Sequence, residues 1–243
     1  MRMVRSGRST QPLYLVGGTD SGILDAVAEC FVAAAGGTNA AIALLLIGGE
    51  GWERYVPRYS EPWEARGVRR VEVIVPGEDG RLDLPAAEVR LREATGIFIG
   101  GGRTAAYREL YATEPIRSLI RERHRQGVPV AGLSAGAMIA PEVCMLRPSL
   151  RNPGEVSRIV QGLGLVRDLV VEVHFSEGGG TLPSLLEGMA QTQTARGLGI
   201  GAGACVVLED GRLQRVIGRG VYEVEMTDFG SRWHTIAELA PGP

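Results

Sequence analysis

The chain has 243 residues, of which 44% are hydrophobic and 22% charged, and its formal net charge is −2. That length buries a sizeable core without disulfides, and the near-balanced charge removes the electrostatic case for a nucleic-acid partner or a polybasic membrane contact. No uninterrupted apolar stretch approaches the ~18 residues of a membrane span, and the apolar run after the basic start Met1–Arg8 is too short for a signal peptide. A cytoplasmic protein with small-molecule or protein partners is therefore expected.

Strand-length apolar runs recur through the first two thirds: Leu13–Val16, Ala41–Ile47, Val71–Val75, Gly96–Ile99 and Val128–Ala131. Between them lie segments of helical periodicity, Ile23–Ala35, Pro85–Glu93 and Ala105–Gln126, the last broken or restarted at Pro115. Strands alternating with helices predict a doubly wound α/β fold, with a mainly parallel sheet and helices on both faces. A further strand, Leu169–Val173, precedes a helix at Leu182–Gln193, with a surface excursion expected at Arg147–Glu155. In the tail, Ala204–Leu208, the turn Glu209-Asp210-Gly211 and Arg212–Ile217 predict an antiparallel edge hairpin, and Val221–Val224 another short strand. The reading is of one domain over residues 1–243, with 1–11 a flexible N-terminus. Apolar helices and an antiparallel edge are compatible with a homodimer.

The 35 glycines cluster at the ends of apolar runs, where a chain turns sharply or brings its backbone close to something. The sharpest cluster is Gly132-Leu133-Ser134-Ala135-Gly136, directly after a predicted strand and before the helix-like Ala137–Ala140. A strand-to-helix turn of G-x-S-x-G type exposes the serine hydroxyl, its glycines admit close backbone packing, and the amide of Ala135 is placed to donate to an oxyanion. The alternative is an ordinary tight turn. A second cluster, Gly100-Gly101-Gly102, also ends a strand, and its amides could complete an oxyanion hole. The alternative there is a glycine turn feeding a helix capped by Thr104.

Three histidines are available as a base. His124 sits among Arg121, Glu122, Arg123 and Arg125 on a helix of solvated appearance, and His234 lies near the C-terminus. His174 ends an apolar strand before Phe175-Ser176-Glu177-Gly178-Gly179-Gly180, and is the expected partner of Ser134, a structural histidine being the alternative. Cys30, Cys144 and Cys205 lack C-x-x-C spacing and read as small core residues, so neither a disulfide framework nor a metal site is indicated. No cofactor is implied.

These residues resemble the serine peptidases that include dipeptidase E and cyanophycinase, whose core is similar to a class I glutamine amidotransferase. The landmarks are Val16-Gly17-Gly18, Ala35-Gly36-Gly37, Ile97–Gly102, Gly132–Ala137, His174-Phe175-Ser176 and Gly197–Gly201. The resemblance implies Ser134 as nucleophile, His174 as general base, and the amides near Gly101, Gly102 and Ala135 as oxyanion donors. It further implies a small peptide or amino-acid-derived substrate. The departures are specific. The family follows the Gly-Ile of its late strand with an Asp-Glu pair that orients the histidine, whereas Gly199-Ile200 is followed by Gly201-Ala202-Gly203-Ala204. Cyanophycinases carry arginines just after the histidine, where this chain has Gly178, Gly180 and Pro183, which makes cyanophycin a poor substrate. Arg103 replaces the usual Asn or Asp, either to grip a substrate carboxylate or to form a surface ion pair.

Two outcomes follow from the missing acid. Another carboxylate could reach His174, with Glu172, Glu177, Glu142 and Glu155 as candidates. Glu172 shares the strand of His174 at a spacing of two, hence one face of the sheet, with a strand-end carboxylate contacting another group as the alternative. Otherwise the site is catalytically degenerate and binds a peptide-like or acidic ligand, or serves as a partner subunit.

Overall fold

The computed structural model describes residues 11–147, 157–176, 181–227 and 230–235. All of the expected N-terminal tail but Gln11, most of the surface excursion, Glu155 and Glu177 lie outside the described residues.

The elements follow in chain order: β1 (Pro12–Val16), α1 (Ile23–Ala34), β2 (Ala41–Leu45), α2 (Val56–Glu64), β3 (Arg70–Ile74), α3 (Leu84–Glu93), β4 (Gly96–Ile99), α4 (Thr104–Tyr111), α5 (Ile116–Arg125), β5 (Val130–Leu133) and α6 (Ala135–Ile139). Strands β1, β2, β4 and β5 are buried at every residue, as runs without a polar alternation must be when both sheet faces are covered. They pair in parallel in the order β1-β5-β4-β2-β3. Alternate residues sort into two cores: Leu13 and Leu15 of β1 face the core containing Ala87, Leu91, Tyr107, Tyr111 and Leu119 of α3 to α5. Tyr14 and Val16 face the other, with Val27, Phe31, Tyr59 and Trp63 of α1 and α2.

Local chemistry explains the boundaries. In α3, the Asp83 carboxylate accepts from the Ala86 amide and Pro85 occupies the first turn, where its missing N–H costs nothing. The break or restart expected at Pro115 within 105–126 is observed: α4 ends at Tyr111 and α5 begins at Ile116, with Pro115 at its N-cap. His124 is not on a solvated face as expected. It is 3% exposed, and its Nδ1 lies 3.4 Å from the Val128 carbonyl oxygen.

The remaining elements are β6 (Val143–Leu146), β7 (Arg158–Gln161), β8 (Val170–Val173), α7 (Thr181–Thr192), β9 (Arg196–Ile200), β10 (Ala204–Glu209), β11 (Arg212–Gly218), β12 (Val221–Thr227) and β13 (Gly230–Thr235). The hairpin β10-β11 adds antiparallel to β1 and forms the expected edge. The strand β8 instead pairs in parallel with β9 in a second sheet, ordered β13-β12-β9-β8. Gly218 and Gly220, both at positive φ, turn the chain out of the hairpin, so β12 pairs with β9 and not with the main edge.

Because β1, β5 and β4 are adjacent and parallel, the segments after Val16, Leu133 and Ile99 emerge side by side. The carboxyl end of β8 joins them: the His174 amide donates to the Gly17 carbonyl at 3.3 Å.

Candidate active site

Ser134 occupies the turn between β5 and α6 at φ 49°, ψ −105°, a conformation that costs a residue with a side chain on the order of 1–3 kcal/mol and persists only where the surroundings impose it. Its amide donates to the Val16 carbonyl at 2.8 Å, and that of Gly136 to the Gly100 carbonyl at 3.2 Å. The two flanking glycines are required by contact. A Cβ on Gly132 would lie 2.4 Å from the Gly136 carbonyl carbon, and one on Gly136 would lie 2.4 Å from the Ile99 carbonyl oxygen.

Beside this turn, the Gly101 N–H donates to the Tyr59 hydroxyl at 3.2 Å, and the Tyr107 hydroxyl donates to the Gly101 carbonyl at 3.3 Å. The amides of Gly102 and Ala135 bond to no described residue. Helix α4 begins at Thr104 itself, after Arg103, without a side-chain cap. The capping role considered for Thr104 is therefore not observed; its hydroxyl faces the Met138 sulfur at 3.8 Å. Arg103 is exposed, lines the cavity described below, and forms no ion pair with a described residue.

His174 lies one residue beyond β8 at φ 51°, and its Nε2 is 2.9 Å from Ser134 Oγ. With the ring proton on Nδ1, Nε2 accepts the hydroxyl hydrogen, the arrangement required for moving a proton from serine to imidazole. Phe175 anchors the turn: its amide donates to the Ile200 carbonyl at 3.1 Å, and its ring lies where a Cβ on Gly199 would be, 2.5 Å away. Although His174 as a whole is exposed, enough of its ring is enclosed that burial lowers its pKa. The Arg147 guanidinium lowers it further, and the Asp20 carboxylate opposes both.

The candidate acids fall in different places. Glu172 is fully buried, but its Oε1 is 2.9 Å from Arg147 Nη2 and accepts from the Val173 amide at 3.2 Å. Burial pushes its carboxyl above the usual range, with Arg147 opposing. It makes no hydrogen bond to His174, which has left the strand and its alternation. Glu142 faces Arg167 at 4.0 Å. No carboxylate of a described residue is hydrogen-bonded to His174 Nδ1.

Ser134 and His174 open on a cavity of about 500 Å³. Its wall combines aromatic rings (Trp52, Tyr55, Tyr59, Tyr107), aliphatic side chains (Leu46, Ile47, Leu133) and two arginines, Arg58 and Arg103; no described lining residue is acidic. Arg58 also donates to the Thr19 hydroxyl. Sequence reasoning missed Asp20, Arg58, Arg147 and Tyr59. For Asp20 a signal existed, since Gly17-Gly18-Thr19-Asp20 follows a strand at its carboxyl end just as the other two glycine clusters do. For the other three it did not, because their proximity depends on packing between elements distant in the chain.

The match to the model of peptidase family S51 covers residues 15–216, and the chain belongs to that family. It is 27% identical over 194 residues to a cyanophycinase of Synechococcus elongatus, covering 78% of this chain and 60% of that protein. To a cyanophycinase of Nostoc sp. it is 28% identical over 182 residues, covering 73% and 60%. The chain thus spans about 60% of the length of the curated relatives it matches. In fold it is similar to a peptidase from an acI-B1 Actinobacterium (TM-score 0.67, 18% identity, 96% of this chain and 97% of that one). A putative peptidase E protein from Listeria monocytogenes EGD-e is similar too (TM-score 0.61, 18% identity, 87% and 100%). Among the described residues no helix is long and apolar enough to cross a membrane.

Proposed function

We propose that the protein is a serine-dependent hydrolase or acyl transferase acting on a small amide, a short peptide or an amino-acid conjugate. The observation that carries this reading is the 2.9 Å contact between Ser134 Oγ and His174 Nε2 at the mouth of a cavity, with the serine in a conformation imposed by its backbone neighbours. Ser134 attacks the carbonyl carbon as its proton passes to His174. The oxygen that gains charge is met by hydrogen-bond donors beside Ser134, among them the Ala135 amide. His174 then returns the proton to the leaving nitrogen, and water or another acceptor releases the acyl group. Arg58 and Arg103, without an acidic residue in the described wall, favour a substrate bearing a carboxylate, and the aromatic wall favours an apolar group next to it.

One observation favours a second reading. Among the described residues, no carboxylate sits on His174 Nδ1 to fix its tautomer and ring orientation. Loss of that group from a serine hydrolase lowers turnover by about 10⁴. A catalytically degenerate member would keep the cavity and bind a peptide-like or acidic ligand.

The deciding experiment is labelling by a broad fluorophosphonate probe, read by intact mass, on wild type, Ser134→Ala and His174→Ala. Stoichiometric labelling of wild type that disappears in both variants is expected. A folded wild type that does not label would overturn the hydrolase reading in favour of the binder.

A further inference from the structure

We infer that the hydroxyl of Tyr59, rather than the amide of Gly101, supplies a hydrogen bond to the oxyanion formed at Ser134, and so is a catalytic residue of this chain. The inference deepens the hydrolase reading and rests on it.

Helix α2 places Tyr59 in the cavity wall, 6% exposed, with its ring tilted 57° against Phe98 at a centroid distance of 5.5 Å. Its hydroxyl oxygen hangs over the glycine cluster: it accepts from the Gly101 N–H at 3.2 Å, and lies 3.2 Å from where a Cβ on Gly100 would be. Gly101 in turn abuts the carbonyl of Leu133, the residue before the nucleophile, which lies 3.5 Å from where its own Cβ would be. The phenol oxygen therefore stands in the direction the Gly101 amide points. While it stays, that amide cannot serve a substrate oxygen.

Hydrogen-bond accounting completes the argument. A phenol has one proton to give, and Tyr59 spends only a lone pair on Gly101; its own hydrogen goes to no described residue. Accepting a bond from an amide polarises the O–H and strengthens it as a donor. Packing against Phe98 holds the group in place beforehand, which is the condition for a donor to act without reorganisation. Burial raises the phenol pKa, so the proton is present throughout the working range. Tyr107 is the internal contrast. It touches the same glycine, but is fully buried and spends its proton on the Gly101 carbonyl.

In the step itself, Ser134 Oγ bonds to the carbonyl carbon, the π pair moves to the carbonyl oxygen, and the serine proton moves to His174 Nε2. Tyr59 and Ala135 donate hydrogen bonds to that oxygen and transfer no proton. When the carbonyl re-forms, the carbon–nitrogen bond breaks, and the nitrogen leaves with the pair and with the proton from His174.

The test is the second-order rate of fluorophosphonate labelling for wild type, Tyr59→Phe and Tyr107→Phe, measured across pH with thermal unfolding alongside. Tyr59→Phe is expected to label at least about tenfold more slowly, with the pH midpoint unmoved because His174 sets it. Tyr107→Phe, which loosens Gly101 without removing a free donor, is expected to slow labelling by less than Tyr59→Phe does. Labelling of Tyr59→Phe as fast as wild type, or faster, would assign the role to an unblocked Gly101 amide and overturn the inference. Equal slowing in both variants would make Tyr59 a mere clamp and overturn it as well. Should Tyr59→Phe fail to fold, 3,5-difluorotyrosine at position 59 keeps the shape and strengthens the donor; faster labelling supports the inference, and an unchanged rate overturns it. A wild type that does not label removes the hydrolase reading itself, an outcome distinct from the others.

Discussion

The two halves of the Ser134–His174 pair are held by different forces. On the serine side, every residue of β5 and α6 is buried, and the turn is fixed by main-chain bonds to Val16 and Gly100 and by backbone contact at two glycines. On the histidine side, the residue stands at the end of a strand in a second, smaller sheet, exposed as a whole with part of its ring enclosed, and its amide bonds to Gly17 of the main sheet's carboxyl edge. Charges from separate elements, Arg147 after β6 and Asp20 after β1, then act on its titration. The nucleophile is thus specified by shape and the base by electrostatics, and the two should fail differently when disturbed.

The largest expected effect breaks the serine side by a single methyl group. Gly136→Ala forces a Cβ against the Ile99 carbonyl, where neither partner can yield as a flexible side chain would. We expect a loss of about 3 kcal/mol or more and a fall in Tm of roughly 6–12 °C, with labelling lost even where folding survives. Gly203→Ala is the control, because its Cβ would meet the end of a small side chain, Ser21 Oγ, at 3.3 Å. Its effect should stay within about 1 kcal/mol in thermal unfolding. Equal losses in the two variants would show that glycine content, rather than backbone contact at the turn, sets the sensitivity.

The next effect strikes the charges behind the histidine. Arg147→Gln leaves the fully buried Glu172 carboxylate without its cation. Breaking a buried pair costs about 3–5 kcal/mol, and since the Arg147 side chain is 38% exposed, roughly half of that is expected here. The sign with pH is fixed. Burial already raises the Glu172 carboxyl, so the folded protein holds that proton more firmly than the unfolded chain does. Stability lost in the variant is therefore small in acid and grows as pH rises through the folded titration. Denaturant unfolding at several pH values measures this, and Glu172→Gln in the same background should restore most of the loss. A pH-independent loss would mean that Arg147 acts by packing alone.

Legibility in the sequence follows the same division. The turn at Ser134 is written in five consecutive residues after a strand, and the alternation of strands and helices conveys the parallel sheet. Helix α2 was not anticipated, because Pro57 and Pro62 interrupt its periodicity and only the buried Tyr59, Ser60 and Trp63 define its inner face. The same blind spot hid Tyr59 from the site. The second sheet was not legible because the surroundings of β9 are not: Gly197 and Gly199 lack side chains so that Met189 and Phe175 can press on it, a reason visible only in three dimensions. The pairing of Glu172 with Arg147 was equally out of reach, since 25 positions separate the two and His174 departs from strand alternation just where the face argument needed it.

The smallest expected effect sharpens the electrostatic side. His174 must be neutral to accept the serine proton, so the labelling rate should rise with pH, with a midpoint below the ~6.5 of a free histidine, since burial and Arg147 both depress it. Arg147→Gln should move that midpoint up. Asp20→Asn should move it down, because its carboxylate favours the charged ring against burial and Arg147. Asp20 is exposed, so its influence is screened, and the displacement should shrink as salt is raised from 10 mM to 1 M, where the Debye length falls from about 30 Å to about 3 Å. A midpoint that Asp20→Asn does not move at low salt would break the assignment. A downward shift that salt erases would mean that the loop after β1 supplies, through space, part of the bias toward imidazolium that a hydrogen-bonded acid supplies by contact, while leaving the orientation of the ring to Ser134 and to the backbone at Gly17.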